Sequence, residues 1–302
     1  MIGALTLLLS GAIQSGTSVL YGVYGETLCE RVGVLYMGIE GSMVLGAFAA
    51  YMVTSETGSP VLGLGAGMLA GALLALAHAY FVITRRTNQI ATGLTLMFLG
   101  LGLTAFFGRK YTSIHVDGFR ELAIPLLSKI PVIGQAIFTQ DPITYISFIL
   151  GPLLWFLIFK TRTGILFRGT GEDEKVVFAY GVNPVLFRYL GVLAGGALAG
   201  IGGAQLSIAY THTWIEGITN GRGIIAVALV ILASWNPAKA YIGAYIFGGA
   251  QALQLILQQQ GYNISPFLLL MLPYVLTLAA LFAMSKQKRQ VMPEELKRVI
   301  NN

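Results

Sequence analysis

Nine apolar stretches follow one another along this chain of 302 residues, and most are close to 20 residues long. They fall near residues 2–21, 32–53, 61–84, 89–107, 142–160, 186–210, 224–234, 240–257 and 265–284. A helix rises about 1.5 Å per residue, so roughly 20 residues cross a hydrocarbon core of about 30 Å. Backbone groups in lipid must be satisfied within the protein, which leaves helices or a closed barrel. The stretches are continuous in Leu, Ala, Gly and Ile and do not alternate apolar with polar, so helices are expected. Charged residues make up only 11% of the chain, too few to cover a water-facing sphere. The expected fold is all-α, a polytopic transmembrane helical bundle of about 8–10 spans. It forms a single domain over 1–302, with no soluble second domain.

Orientation follows from the basic residues. With the tail 285–302 inside and every stretch a crossing, the inside segments are 22–31, 85–88, 160–188, 235–239 and 285–302. They hold 14 of the 19 Lys and Arg, and the outside segments hold Arg109, Lys110, Arg120, Lys129 and Arg222. Such a bias is the positive-inside pattern, and it accounts for the net charge of +6 without nucleic acid. No basic residue precedes the first stretch, so it reads as a retained helix and not a cleaved signal. The stretch at 224–234 spans only about 16 Å as a helix. It is a half-helix, a re-entrant segment or a crossing extended at both ends. Alternation of the charges favours a crossing.

Two connections are long. The outside one, 108–141, contains Pro125 and Pro131 and reads as carrying a surface-lying helix. The inside one, 160–188, places three acids after Gly171 and then an apolar run closed by Gly181. That pattern gives a helix of about two turns bearing Val176, Val177, Phe178 and Tyr180. Its acidic start suits a protein partner better than anionic lipid. In the tail, PEELKR reads as a short helix beginning at Pro293. The glycines from Gly191 to Gly203 allow close helix packing, within one bundle or between two copies.

No phosphate-binding loop or zinc motif occurs, so the chain is not expected to be an enzyme. His78 reads as a histidine hydrogen-bonded between helices. Glu40 lies inside an apolar stretch, where a carboxylate needs a partner. A bond to backbone or a neighbouring helix is the first reading, a place on a transport path the second, and a proton relay the third. Asn88, Gln89 and Thr92, with Gln251 and Gln254, are uncharged polar groups at membrane depth. Each alone reads as glue between helices, and together they suit a path for a hydroxyl-rich, uncharged solute.

Five ordered blocks carry a family resemblance: ERVGVLYMGIEGSMVLGAF at 30–48, NQIATGLTL at 88–96, GILFRGTGEDEKVVFAYGVN at 164–183, GRGIIAVALVILASWNP at 221–237 and SPFLLLMLPYVLTLAAL at 265–281. The chain resembles the nucleoside and simple-sugar branch of bacterial ABC importer permeases, within the branched-chain amino acid/ribose permease superfamily. It departs from the family in having GEDE at 171–174 where many relatives have GENP, and Tyr36 where Asn is usual. The resemblance implies a type II-like permease in a bacterial cell membrane, with a cytoplasmic C-terminus and a translocation pathway for a nucleoside or simple sugar. It also implies three partners: a second related permease, a cytoplasmic ATPase that binds the ATP and Mg, and an extracytoplasmic substrate-binding lipoprotein. No cofactor is expected in this chain. Gly171, Glu172, Asp173, Val176, Phe178 and Gly181 would couple to the ATPase. The competing expectation is an autonomous secondary transporter of a small polar solute.

Overall fold

Among the helix starts written in the sequence as a capping residue followed by proline are Ser59-Pro60, Asp141-Pro142, Asn183-Pro184 and Asn236-Pro237. In the computed structural model each capping side chain accepts a backbone N–H of the first turn. Proline at the first helical position loses nothing, because its N–H would have no partner there. The structure describes residues 2–112, 114–260, 265–285 and 292–301.

The helices run in order as α1 (Ile2–Arg31), α2 (Ile39–Thr57), α3 (Pro60–Ala79, continued by a π turn, Tyr80–Thr84) and α4 (Gln89–Gly108). In the outside connection, two short strands, β1 (Leu122–Ala123) and β2 (Thr139–Gln140), pair antiparallel around α5 (Ile133–Ile137). The surface helix expected there is thus reduced to little more than one turn. Then come α6 (Pro142–Lys160), α7 (Arg162–Glu172), α8 (Glu174–Ala179) and α9 (Pro184–Gln205, with a π turn at Leu206–Tyr210). The chain continues through α10 (Arg222–Leu232), α11 (Pro237–Gln259), α12 (Pro266–Ser285) and α13 (Glu294–Asn301). Sequence reading found α8 and α13 but missed α7, because Gly164, Gly169 and Gly171 disguise it.

Among the described residues, five helices are long and apolar enough to cross a membrane: Pro60–Thr84, Gln89–Tyr111, Pro142–Lys160, Pro184–Tyr210 and Pro237–Gln259. Two shorter apolar ones are Arg222–Leu232 and Leu268–Ala280. The chain is a multi-pass membrane protein. α1 and α2 are as long as these spans but more polar, because they lie at the centre, where neighbouring helices replace lipid. Ser18, Glu26, Thr27, Glu40 and Ser42 are all buried on them.

α9 is the hub, packed against α1, α2 and α3. Its glycines make that possible. A Cβ on Gly200 would lie 2.2 Å from the Gly67 carbonyl oxygen, and one on Gly195 would lie 2.3 Å from Cys29 Sγ. The glycine run therefore serves packing within the chain.

The segments predicted inside gather at one end. Arg31 Nε donates to the Trp235 carbonyl (2.9 Å), Thr84 and Tyr189 share a hydroxyl bond (2.5 Å), and Arg188 reaches Glu174 (2.8 Å) and Glu295 (3.4 Å). Segments predicted outside meet at the other end, where Tyr111 donates to Glu56 (2.5 Å), Gln14 to Glu121 (2.8 Å), and the His115 and His212 rings face each other at 5.6 Å. Burial, and then the neighbouring His115 ring, push the His212 imidazole below its ordinary pKa.

Two crossings are broken. Residues 32–38 leave α1 at the predicted inner end and climb back without helix. Tyr36 N–H donates to Glu26 (2.8 Å), Leu35 N–H donates to Gln89 (2.7 Å), and His78 Nε2 bonds the Leu35 carbonyl (3.2 Å). The second break lies at 211–221, which descends from the outer end to half depth, where α10 begins. α10 starts beside Ser15 and Ser18, midway along α1, and ends at Trp235 beside Arg31. The stretch at 224–234 is therefore a half-helix completed by non-helical chain, and together they make the crossing.

Neither broken helix has a cap of its own: Gly38 precedes α2 and Gly221 precedes α10. Glu40, in the first turn of α2, caps α10 instead. Its Oε1 accepts Thr219 Oγ1 (2.6 Å) and Gly221 N–H (2.9 Å), and its Oε2 accepts Gly223 N–H (2.6 Å). Freed N–H groups do bind this carboxylate, but they belong to the facing helix.

Two stability predictions follow from this packing. Gly200→Ala should lower the melting temperature in detergent by several degrees, whereas Gly65→Ala, which meets open space, should leave it unchanged. Glu40→Ala strips three donors of their acceptor, each costing about 1–3 kcal/mol. Glu40→Gln keeps one acceptor oxygen, so its thermal unfolding should fall between wild type and Glu40→Ala; equal losses would contradict the cap.

Candidate functional site

The start of α10 reads Gly221-Arg222-Gly223. Gly221 has a φ of +76°, and a Cβ on Gly223 would fall 2.6 Å from the Glu40 Cα. The two glycines let the chain turn tightly against α2, and Arg222 is thereby pointed the other way, into the space between α1, α11 and α12. The charge count places Arg222 in an outside loop. It is in fact 8% exposed at half depth, and removing it from the outside set makes the inside bias stronger.

Arg222 donates to Ser18 Oγ (2.7 Å) and to Gln251 Oε1 (2.8 Å), and the Ser15 hydroxyl bonds the same Gln251 oxygen. Arg222, Ser15 and Gln251 line a cavity of about 240 Å³ together with Tyr210, Asn220, Gln254 and Tyr274. Gln251 and Gln254, three residues apart on α11, reach it from one helix face.

The other polar residues singled out in the sequence lie elsewhere. Asn88 caps α4 through Ala91 N–H (2.9 Å), Thr92 bonds Thr87 (2.9 Å), and Gln89 holds the 32–38 segment. They fasten the predicted inner end and take no part in the cavity. Glu40 does not line it either; it stands behind Arg222 and fixes the turn that aims it.

Buried ionisable groups are more numerous than the sequence reading allowed. Glu26 and Glu30 continue α1 into the bundle, and Glu30 bonds the Trp235 indole N–H. The charge pattern places them in the inside connection 22–31, because the apolar run stops near residue 21; the structure instead continues the helix through them.

At the predicted inner face, α7 and α8 form an elbow. Asp173 caps α8 through Lys175 N–H (2.9 Å), and Gly181, with a φ of +78°, ends it. Val176, Phe178 and Tyr180 are 53%, 71% and 80% exposed, while Val177 turns inward. Gly171 faces inward. It is buried, and a Cβ there would lie 2.3 Å from the Arg31 carbonyl oxygen. Glu172 accepts Glu294 N–H (3.3 Å) at the start of α13. Of the six residues expected to couple, the structure thus leaves Val176 and Phe178 presenting apolar surface and gives Gly171 to the α1 contact.

Comparison with known proteins agrees with this architecture. The chain is 38% identical, over 86% of its length and 80% of the relative's, to a putative glucose ABC transporter permease protein of Haloferax volcanii. It is 34% identical to a guanosine ABC transporter permease protein of Bacillus subtilis, over 64% of this chain and 63% of that one. It is also 34% identical to a nucleoside ABC transporter permease protein of Lactococcus lactis, over 63% and 62%. The chain therefore spans a little under two thirds of the two nucleoside relatives. No solved structure matches it. The family described as "Branched-chain amino acid transport system / permease component" matches residues 7–281, and the chain belongs to that family.

Proposed function

We propose that this permease is a subunit of an ABC importer in a bacterial cell membrane and forms the pathway for a nucleoside or simple sugar. The observation that carries the reading is α8. It is a capped helix that, with Tyr180 just after it, turns three large apolar side chains away from the protein, and α7 before it packs on the end of α1. Lipid is a poor match for an elbow opened by Asp173 and Glu174. A cytoplasmic ATPase that binds the ATP and Mg is the partner this surface fits, and its docking puts the predicted inner face and the C-terminus in the cytoplasm. A second permease completes the membrane part, and a substrate-binding lipoprotein delivers the solute from outside. The single domain runs over the whole chain, which itself holds no cofactor.

The solute class rests on the half-depth cavity together with the names of the relatives. Its lining is amide, hydroxyl and aromatic with one guanidinium, which suits a neutral polar solute. A partner drives transport only if it binds the two access states differently, and α8 is the element placed to sense that difference.

The test is reconstitution with the ATPase and second permease. Phe178→Asp should abolish co-purification of the ATPase and cut ATP-dependent uptake at least tenfold, the scale of a lost interface anchor. The melting temperature of the permease should not change, because the side chain is exposed. Uptake by the chain alone under an ion gradient, untouched by Phe178→Asp, would instead establish an autonomous secondary transporter.

A further inference from the structure

The cavity beside α10 holds polar groups that the protein itself leaves unused. The Nε of Arg222 is buried and has no hydrogen-bond partner. Its two remaining contacts, to the Ser15 carbonyl and hydroxyl, are both stretched to 3.4 Å. The Gln254 amide and the Tyr210 hydroxyl also line the cavity, and neither makes a hydrogen bond with a described residue. Among the described residues, no carboxylate lies within salt-bridge distance of Arg222, and its partners Ser18 and Gln251 are neutral. Glu40 is spent on the other side of the turn.

A buried guanidinium is costly unless its donors are filled. Glutamine and tyrosine groups at membrane depth carry a smaller penalty of the same kind. Here these groups converge on one cavity at half depth, at the start of a broken helix. In such a place irregular backbone is tolerated because it lines a cavity. The guanidinium is a planar fork of donors that matches two adjacent oxygens. Tyr210 and Tyr274 add aromatic surface beside Leu255, Leu270 and Pro273. At about 240 Å³ the cavity is smaller than the 300–1,000 Å³ of drug-sized sites, so it takes one small ring.

We propose that Arg222, Gln254 and Tyr210 form a solute subsite that recognises a vicinal diol on a sugar ring. Arg222 and the Gln254 amide donate to adjacent hydroxyls, and Tyr210 bonds a third oxygen or covers the ring face. The shared chemistry has two sources, a free monosaccharide and the ribose of a nucleoside. A positively charged solute is disfavoured by the guanidinium. The proposal rests on the permease reading above.

The experiment uses the complete reconstituted transporter with radiolabelled D-glucose, guanosine and 2′,3′-dideoxyguanosine, the last lacking the diol. Wild type should take up glucose or guanosine in an ATP-dependent manner and reject the dideoxy compound. Gln254→Ala and Tyr210→Phe remove groups that hold nothing in the protein, so folding should be unchanged. Each should raise the KM for the accepted solute about tenfold, the value of one hydrogen bond. Arg222→Gln should abolish uptake while the complex still assembles. Uptake that both Gln254→Ala and Tyr210→Phe leave within twofold of wild type, or equal uptake of the dideoxy compound, overturns the subsite. Absence of ATP-dependent uptake of any probe by the wild-type complex overturns the permease reading instead, and this proposal with it.

Discussion

One carboxylate ties the two broken crossings together. Burying Glu40 in a membrane protein costs several kcal/mol unless its oxygens are filled by donors. Three donors at 2.6–2.9 Å fill them, all from the turn before and at the start of α10. The N-terminal ends of two helices, α2 and α10, meet at this one side chain. Every feature at half depth depends on this. Without the cap the 219–223 turn would have unpaired N–H groups in a low-dielectric interior. Arg222 would then lose the backbone that aims it at α11.

The inner ends of the same crossings are fastened by the same device. Glu26 holds the N–H of Tyr36 and Glu30 holds the indole of Trp235, so two carboxylates one turn apart on α1 secure both segments. Ser234 and Trp235 carry φ values of +54° and +53°, conformations that cost an L-residue about 1–2 kcal/mol each. The indole bond and the bond from Arg31 to the Trp235 carbonyl offset that strain. A helix that faced lipid could not carry so many polar groups; α1 carries them because α9, α10 and α11 surround it.

Much of this was legible in the sequence, for identifiable reasons. Cap-proline pairs mark several helix starts because the cap and the helix it serves are adjacent in the chain. The starts of α2 and α10 show no such pair: α2 has no side-chain cap, and the cap of α10 comes from about 180 residues away, a range that no local pattern records. The same reason hid Arg222: a charge at the edge of an apolar run is read as solvated unless the fold brings a cavity to it. Gln251 and Gln254 could be named from composition alone. Asn88, Gln89 and Thr92 have the same chemistry, yet their neighbours make them turn and segment fasteners. Gly171 lies in the segment that the sequence offers to a partner, yet it is buried against the end of α1, a contact that no local pattern records. The Gly221-Arg222-Gly223 sequence was the one available signal for the site, two hinge-like residues flanking a charge.

The contact between Gly171 and the Arg31 carbonyl has a mechanical meaning. α1 is 30 residues long, about 45 Å, with no proline to bend it. One end bears on the elbow that carries α8, and its middle holds Ser15 and Ser18 against the Arg222 guanidinium. A displacement of the elbow would therefore reach the cavity along one continuous helix, without passing through any loop. The missing Cβ at Gly171 lets the two backbones touch directly, so that linkage would carry little slack.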